Sequence, residues 1–312
     1  MKKKIKRFLK LRKEFGLCNA FMLAVLNLSH NDAKYIDFAC SILFREFKEK
    51  IKLINDGNRQ QIVKPTIWSF WWQGIDLLPE VLKVTYESHK KHIVDLGYNY
   101  VFIDKSNLNE YLEIPDYILE KVEKGVISFT HFSDYIRIAL LEKYGGAWID
   151  ITLLMVGDLP KDLFDHTFYS FNLCGSNYKP AGLGQKITKC KWAGFMLSTN
   201  EVHNPLLRYV KDSLELFWKS HNFVIDYFLM NLVFKIAYDN NSYAKELVDS
   251  IPQNNLHLYD LVKVINSPMD EKILSELENM EVFFKVTQKM QMIDIVDGFQ
   301  TFYAHYKSKY LV

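Results

Sequence analysis

The chain has 312 residues, 49% of them hydrophobic and 24% charged, which fits a folded protein and excludes intrinsic disorder. Its formal net charge is +2, yet eight basic residues (Lys2, Lys3, Lys4, Lys6, Arg7, Lys10, Arg12, Lys13) and no acidic one fall in the first 13 positions. The remainder is a body of −6, with 31 basic against 37 acidic residues, and such a body repels phosphate backbones, which excludes a general nucleic-acid binder.

The length suits one large α/β domain with additions, or about two domains. Cys18, Cys40, Cys174 and Cys190 are scattered and form no Cys-x-x-Cys pair. That usage points to reduced thiols in a cytoplasm rather than to a disulfide framework or a zinc site. Aromatic residues make up 15% of the chain, a share suited to a surface that meets sugars or lipid.

Residues 15–28 carry no charge and follow the basic stretch, which imitates a signal peptide. The basic region is long, Asn19 and Asn27 interrupt the apolar run, and no small-x-small cleavage site follows. The run is also shorter than the roughly 20 residues a bilayer span needs. Two readings stay open. One is a buried helix behind a solvated basic tail. The other is an anchor, with Phe8, Leu9 and Leu11 in the lipid interface and residues 1–13 against anionic headgroups.

Ile36, Ala39, Leu43, Phe47 and Ile51 recur at helical spacing and predict a helix over 34–54. A polar connector at 56–64 divides a helical N-terminal segment, 1–60, from the main domain, 61–312. From there strand and helix alternate. Strands are predicted at 65–72, 99–104 and 147–156, with helices after Pro79, from Pro115 to Gly125 and from Ser128 to Tyr144. This order implies a mostly parallel sheet with its ligand site at the C-terminal ends of the strands. Later strands are expected at 167–172, 191–197 and 282–286, the last returning to the sheet. Helices are expected from Asn204 to about Lys219 and over about 14 residues from Val224.

Chemistry concentrates in 131–153, HFSDYIRIALLEKYGGAWIDITL. Asp134 and Arg137 are three apart on one helix face. Gly145 and Gly146 turn the chain into an apolar strand. Asp150 stands at its end, with Thr152 on the same side by strand alternation. A carboxylate and a hydroxyl placed there can meet a divalent cation or sugar hydroxyls. Taken singly, an Asp/Arg pair is usually a surface ion pair and a double glycine usually a helix cap; their order is what carries information. His89 and His92 are three apart but lack a partner at metal-ligand spacing, and His131 lies one turn before Asp134. Serine-hydrolase, P-loop and dinucleotide fingerprints are missing from the sequence.

The pattern Ser-Asp-x-x-Arg, Tyr-Gly-Gly, Asp-x-Thr resembles the donor-binding core of glycosyltransferase family 32 and its capsular polysaccharide synthesis branch. IWSFWWQGIDLLPEVL (67–82) is similar to that family's first strand and loop, and DYFLMN (226–231) to its later helix. The resemblance implies a GT-A-like, Rossmann-like α/β fold with a mostly parallel central sheet flanked by helices, and with extra N- and C-terminal helices. Residues 61–160 would form the nucleotide-sugar core and 161–312 the acceptor side.

The resemblance also implies roles. Trp68, Trp71 or Trp72 with Gly74 would line a uracil pocket, although period two in a strand also makes some of these tryptophans core residues. Asp134 and Arg137 would orient the donor sugar, with Gly145 and Gly146 close by. Asp150 would bind ribose, sugar or a metal. Thr152 stands where the family's second, metal-ligating Asp is found, and a hydroxyl is a weaker ligand for Mn²⁺ or Mg²⁺. Lys285 or Lys289 could hold the phosphates in place of a strong metal seat. Asp226 is a candidate stabiliser or acceptor ligand.

The implied reaction is retaining transfer from a nucleotide sugar, a UDP-sugar above all, to a glycan acceptor, expected to be lipid-linked, in a cytoplasmic enzyme at the inner face of the plasma membrane. The alternative is a non-catalytic nucleotide-sugar or glycan-binding module, for which Thr152 is the main support. A third reading is a scaffold within a membrane synthase complex.

Overall fold

The computed structural model describes residues 2–55, 60–175 and 182–311; four positions of the predicted connector, 56–59, lie outside the described residues. The N-terminus is a run of three helices, α1 (Lys2–Phe15), α2 (Leu17–Leu28) and α3 (Asp32–Ile51). The basic stretch is therefore a helix, not a loose tail. The Asn31 side chain caps α3 by accepting from the Lys34 amide. Ile36, Ala39, Leu43, Phe47 and Ile51 then enter the same core as the sheet, so α3 belongs to the body of the protein.

The alternating segment begins with β1 (Thr66–Phe70), followed by α4 (Glu80–His89), β2 (Asn99–Ile103), α5 (Asp116–Glu123) and α6 (Phe129–Tyr144). Next come β3 (Gly146–Ile149), β4 (Leu153–Met155), β5 (Tyr169–Ser170) and β6 (Met196–Thr199). The chain closes with α7 (Pro205–Ser220), α8 (Leu229–Asn240), β7 (Phe283–Lys285) and α9 (Phe302–Tyr310), among further helices and short strands. Among the described residues the central sheet has the order β2-β1-β3-β6-β5. β1 pairs in parallel with β2 and β3, and β6 is antiparallel to both β3 and β5. Four strands thus point one way and β6 alone opposes them, so the sheet is mainly parallel but mixed.

Gly146 makes the β1–β3 pairing possible. Its φ is +88°, and a Cβ there would run into the Thr66 carbonyl of β1. α6 is started by Ser128, whose hydroxyl accepts from the His131 amide at 3.3 Å, and ends at Gly145. Its nearly continuous burial (Phe132, Tyr135, Ile136, Ile138, Leu140, Leu141) lays it across the sheet.

Several predicted elements differ. The strand expected over 147–156 is broken at Asp150–Thr152 into β3 and β4. β7 does not return to the central sheet; it pairs antiparallel with β4, Leu153 opposite Lys285. β1 ends at Phe70, so Trp71 and Trp72 leave the strand. The strand expected at 191–197 starts only at Met196, and 167–172 pairs only at Tyr169–Ser170. The helix expected from Val224 begins at Leu229, because the Asp226 carboxylate accepts the Phe228 amide at 3.0 Å and holds 224–228 as a loop.

The break at Asp150 lies where two apolar cores meet. Ile149 and Phe283 belong to the larger core under α3, α6 and α8; Ile151 and Phe284 belong to a smaller one under α4 and α9.

Candidate active site

The strand break is a built structure. The Asp150 carboxylate accepts the Thr152 amide at 3.0 Å and the Thr152 hydroxyl as well, folding the chain into a turn where alternation alone would run on. The surrounding carbonyls all find donors. Ser69 Oγ donates to Ile149 O at 2.5 Å, Thr85 Oγ1 to Ile151 O at 2.5 Å, and the Val286 amide to Thr152 O at 2.9 Å. The turn is therefore clamped by β1, α4 and β7, with Asp150 and Thr152 side by side as expected, though not by strand alternation.

Three more charged residues converge on it. Arg137 places Nη2 3.3 Å from Asp134 and 3.7 Å from Asp150, and its guanidinium lies 5.0 Å above the Trp148 ring. It also donates to the Gly194 carbonyl. Lys285 places Nζ 3.5 Å from Asp150, donates to the Thr152 hydroxyl, and sits 4.4 Å from the Phe195 ring centre. Asp134, Arg137, Asp150 and Lys285 expose only 15%, 6%, 22% and 22% of their side chains, so two cations and two carboxylates are partly withdrawn from water together.

Their ionisation follows from this packing. Burial by itself would raise the Asp150 carboxyl; the Lys285 and Arg137 charges and the Thr152 hydrogen bonds overcome it and hold the group down at about 2. Burial pushes Asp134 up, with Arg137 opposing. Burial likewise pushes the Lys285 ammonium down, with Asp150 opposing.

Two hollows of about 200 and 310 Å³ meet at Thr130, Arg137 and Asp150. The smaller is walled by Phe195, Tyr227, Phe228 and Asn231; the larger by Trp71, Trp72, Phe129 and Gln288. Together they match the size of a small-molecule cleft. A third hollow of about 290 Å³ extends beyond Gly194 and Phe195, with Trp192 and Tyr259 in its wall.

The expected residues divide. Asp134, Arg137, Asp150, Thr152, Lys285, Trp71 and Trp72 line this cleft. Trp68 does not: it is buried between Tyr111 and Tyr144, with its indole donating to Gly145 O at 3.1 Å. Gly145 and Gly146 lie at the opposite end of β3 from Asp150, where they serve strand packing. Gly74 turns the chain beside Asp104, and Gln73 rather than Gly74 reaches the cleft. Lys289 is exposed and lines neither hollow, although its neighbour Gln288 walls the larger one. Asp226 accepts from Tyr35 Oη at 2.8 Å and lies 3.9 Å from Arg7, so its charge is turned toward the N-terminal helices. His89 is buried between Tyr100 Oη and Leu153 O, and His131 between Ser128 Oγ and Tyr227 O; neither enters the cleft.

The oxygens that would meet a divalent cation are already paired. Thr152 Oγ1 and one oxygen of Asp150 already face an ammonium, and Asp134 is committed to Arg137. Among the described residues no group of three His, Cys, Asp or Glu side chains is placed to hold a metal, so a cation here would take most of its ligands from the substrate's phosphates and water.

Residues 24–306 match the family described as capsular polysaccharide synthesis protein. The chain belongs to that family. Its fold can also be set beside a solved structure, the PaToxG glycosyltransferase, at 15% sequence identity over 78% of this chain and 85% of the other, with a TM-score of 0.34, a likeness too remote to carry an argument. No curated protein matches the chain by sequence.

Sequence reasoning missed Phe195, Tyr227, Phe228 and Asn231, which come from loops and helix starts far from 131–153. The segment 226–231 carried a signal, its likeness to the family's later helix, but nothing in its spacing pointed at the cleft.

Proposed function

We propose that this member of the capsular polysaccharide synthesis family is a retaining glycosyltransferase. It moves a sugar from a nucleotide sugar, a UDP-sugar by the likeness of its core to glycosyltransferase family 32, to a hydroxyl of a glycan acceptor that is lipid-linked. The observation that carries the reading is the convergence of Asp134, Arg137, Asp150, Thr152 and Lys285 in one cleft at the end of the sheet. A site that binds charge in a partly dry cleft is where developing charge is stabilised most strongly.

In this reading the base stacks in the larger hollow against Trp72, whose ring lies 5.9 Å from Phe129 and within 5.8 Å of the Lys105 ammonium. Asp134 and Asp150 accept hydroxyls of the donor sugar and Arg137 fixes both carboxylates. As the bond from the anomeric carbon to the diphosphate breaks, negative charge grows on the leaving oxygen. Lys285 and Arg137 are the cations at hand. The acceptor hydroxyl attacks from the same face and its proton passes to the leaving phosphate, so no separate catalytic base is needed. The aromatic walls beyond Phe195 suit the acceptor's sugar rings. Because an ammonium stands against the Asp-x-Thr pair, transfer proceeds without a bound divalent cation.

The test is donor hydrolysis and transfer with a panel of UDP-, GDP- and CMP-sugars, in EDTA and with added Mn²⁺. The proposal expects turnover of at least one donor and equal rates in both conditions. Binding of a donor with no turnover over a broad acceptor panel would favour the non-catalytic binding module instead.

A further inference from the structure

The hairpin of α1 and α2 presents a surface that the body does not cover. α2 contains no charged residue in its 12 positions, LCNAFMLAVLNL, and only Ala20 and Leu23 are buried. Leu17, Phe21 and Leu28 are 57%, 58% and 58% exposed, and Met22 and Val25 about 40%. At 100° per residue Leu17, Phe21, Val25 and Leu28 fall along one stripe, with Cys18 and Met22 on its flank, while Ala20 and Leu23 point to the opposite side. Single exposed apolar residues are ordinary, but a contiguous stripe over the whole length of a helix marks a surface that meets something apolar.

The preceding helix supplies the second observation. α1 exposes Ile5 and Leu9 one turn apart, amid Lys2, Lys3, Lys4, Lys6, Lys10, Arg12 and Lys13, all of them exposed. Its other face carries Leu11 and Phe15 into the core. Phe8 is half-buried, so of the three residues expected to reach lipid only Leu9 is free. Arg7 is withdrawn from the basic face, donating to Ile225 O at 2.7 Å. That bond and Asp226 tie the hairpin to the 224–228 loop, so it is held in a fixed orientation.

We propose that the α1–α2 hairpin docks in the plane of an anionic bilayer surface, α2 laying its apolar stripe into the headgroup boundary while the α1 lysines meet lipid phosphates. A protein partner would leave the lysine density unexplained, since seven exposed basic side chains and no acidic residue within 2–13, on the helix packed against α2, are complementary to a continuous sheet of negative charge. Among the described residues no helix is long and apolar enough to cross a membrane, and α2 spans only about 18 Å, so the contact is interfacial. The proposal does not depend on the reaction in the cleft, and its readout is binding alone.

The experiment is co-sedimentation of the full chain with vesicles of phosphatidylcholine alone and with 30% phosphatidylglycerol added (about 0.1 M salt in both). The wild type is expected to bind the anionic vesicles at least tenfold more tightly than the neutral ones. Phe21→Glu with Val25→Glu should lower that binding at least tenfold at unchanged melting temperature. Lys2, Lys3, Lys4 and Lys6 changed to Gln, four solvent-facing positions that cannot disturb the core, should lower it at least tenfold and flatten its salt dependence. Equal wild-type binding to both vesicles, or binding indifferent to both variants, overturns the proposal. So does self-association in vesicle-free buffer that Phe21→Glu with Val25→Glu abolishes, because the stripe would then be an interface between copies.

Discussion

The cleft and the N-terminal hairpin break the usual rule of burial in opposite directions. In the cleft, Asp134, Arg137, Asp150 and Lys285 are drawn out of water. On the hairpin, Leu17, Phe21 and Leu28 are left in it. Each arrangement costs stability, and each is local: the cleft is clamped by hydrogen bonds from three elements, whereas the outer face of α2 is clamped by nothing. The cleft should therefore show its role through activity and through stability coupled to charge. The hairpin should show its role only through what it touches.

Removing the cation at the centre of the cleft should separate the two regions most sharply. Arg137→Ala leaves Asp134 and Asp150 without their shared partner, and should cost about 3–5 kcal/mol of stability along with essentially all transfer. Vesicle binding by the folded fraction should stay as in the wild type. Thermal melts, donor hydrolysis and co-sedimentation on the same preparation check it, and a parallel loss of vesicle binding would join what is separated here.

Acid should destabilise the body before it reaches the cleft. Burial pushes His89 down to about 4 from an ordinary 6.5. The unfolded chain thus takes up a proton that the native state refuses, and stability present above pH 6.5 is lost as pH falls toward 4, by about 3 kcal/mol in all. Asp150, held at about 2 instead of 3.8, adds a further loss of about 2 kcal/mol below pH 4. Melting temperatures from pH 7 to 4 should fall, and His89→Gln should flatten that slope.

Within the cleft, Lys285→Met should slow transfer about tenfold to a hundredfold, since on the proposed reading it is one of two cations available to the leaving group; it should also lower the melting temperature, by less than Arg137→Ala does, because Asp150 loses one of its two cations and keeps Arg137. Trp72→Ala should act chiefly on donor affinity. Loss of a stacked base is worth about 1–3 kcal/mol, read as a rise in KM for the nucleotide sugar with kcat nearly unchanged. A fall in kcat without a change in KM would move the base elsewhere.

The contrast between regions also explains what could be read from the chain. The acidic and basic pair on α6, the turn and Asp150 lie within twenty residues, so their order survives as a linear pattern. Lys285 is visible only as a lysine in a late apolar strand, because pairing with β4 across more than a hundred residues is what brings it to Asp150. The break at Asp150 was hidden because AWIDITLLMV has an unbroken strand composition; only the carboxylate's capture of the Thr152 amide ends the strand there. Gly145 and Gly146 were legible as a turn, but not as a packing requirement at the far end of β3. α2 reads as apolar in sequence, and nothing in that reading says which side faces outward.

The central claim is that Asp150 organises a glycosyl-transfer site without a metal. It is tested most directly by Asp150→Asn, which keeps the shape and removes the charge. In donor hydrolysis with the UDP-, GDP- and CMP-sugar panel, in EDTA, the wild type should turn over at its full rate. Asp150→Asn should lose about a hundredfold or more at an unchanged fold by circular dichroism. Hydrolysis by Asp150→Asn within about tenfold of the wild type, or a wild type that EDTA silences and Mn²⁺ restores, would contradict it.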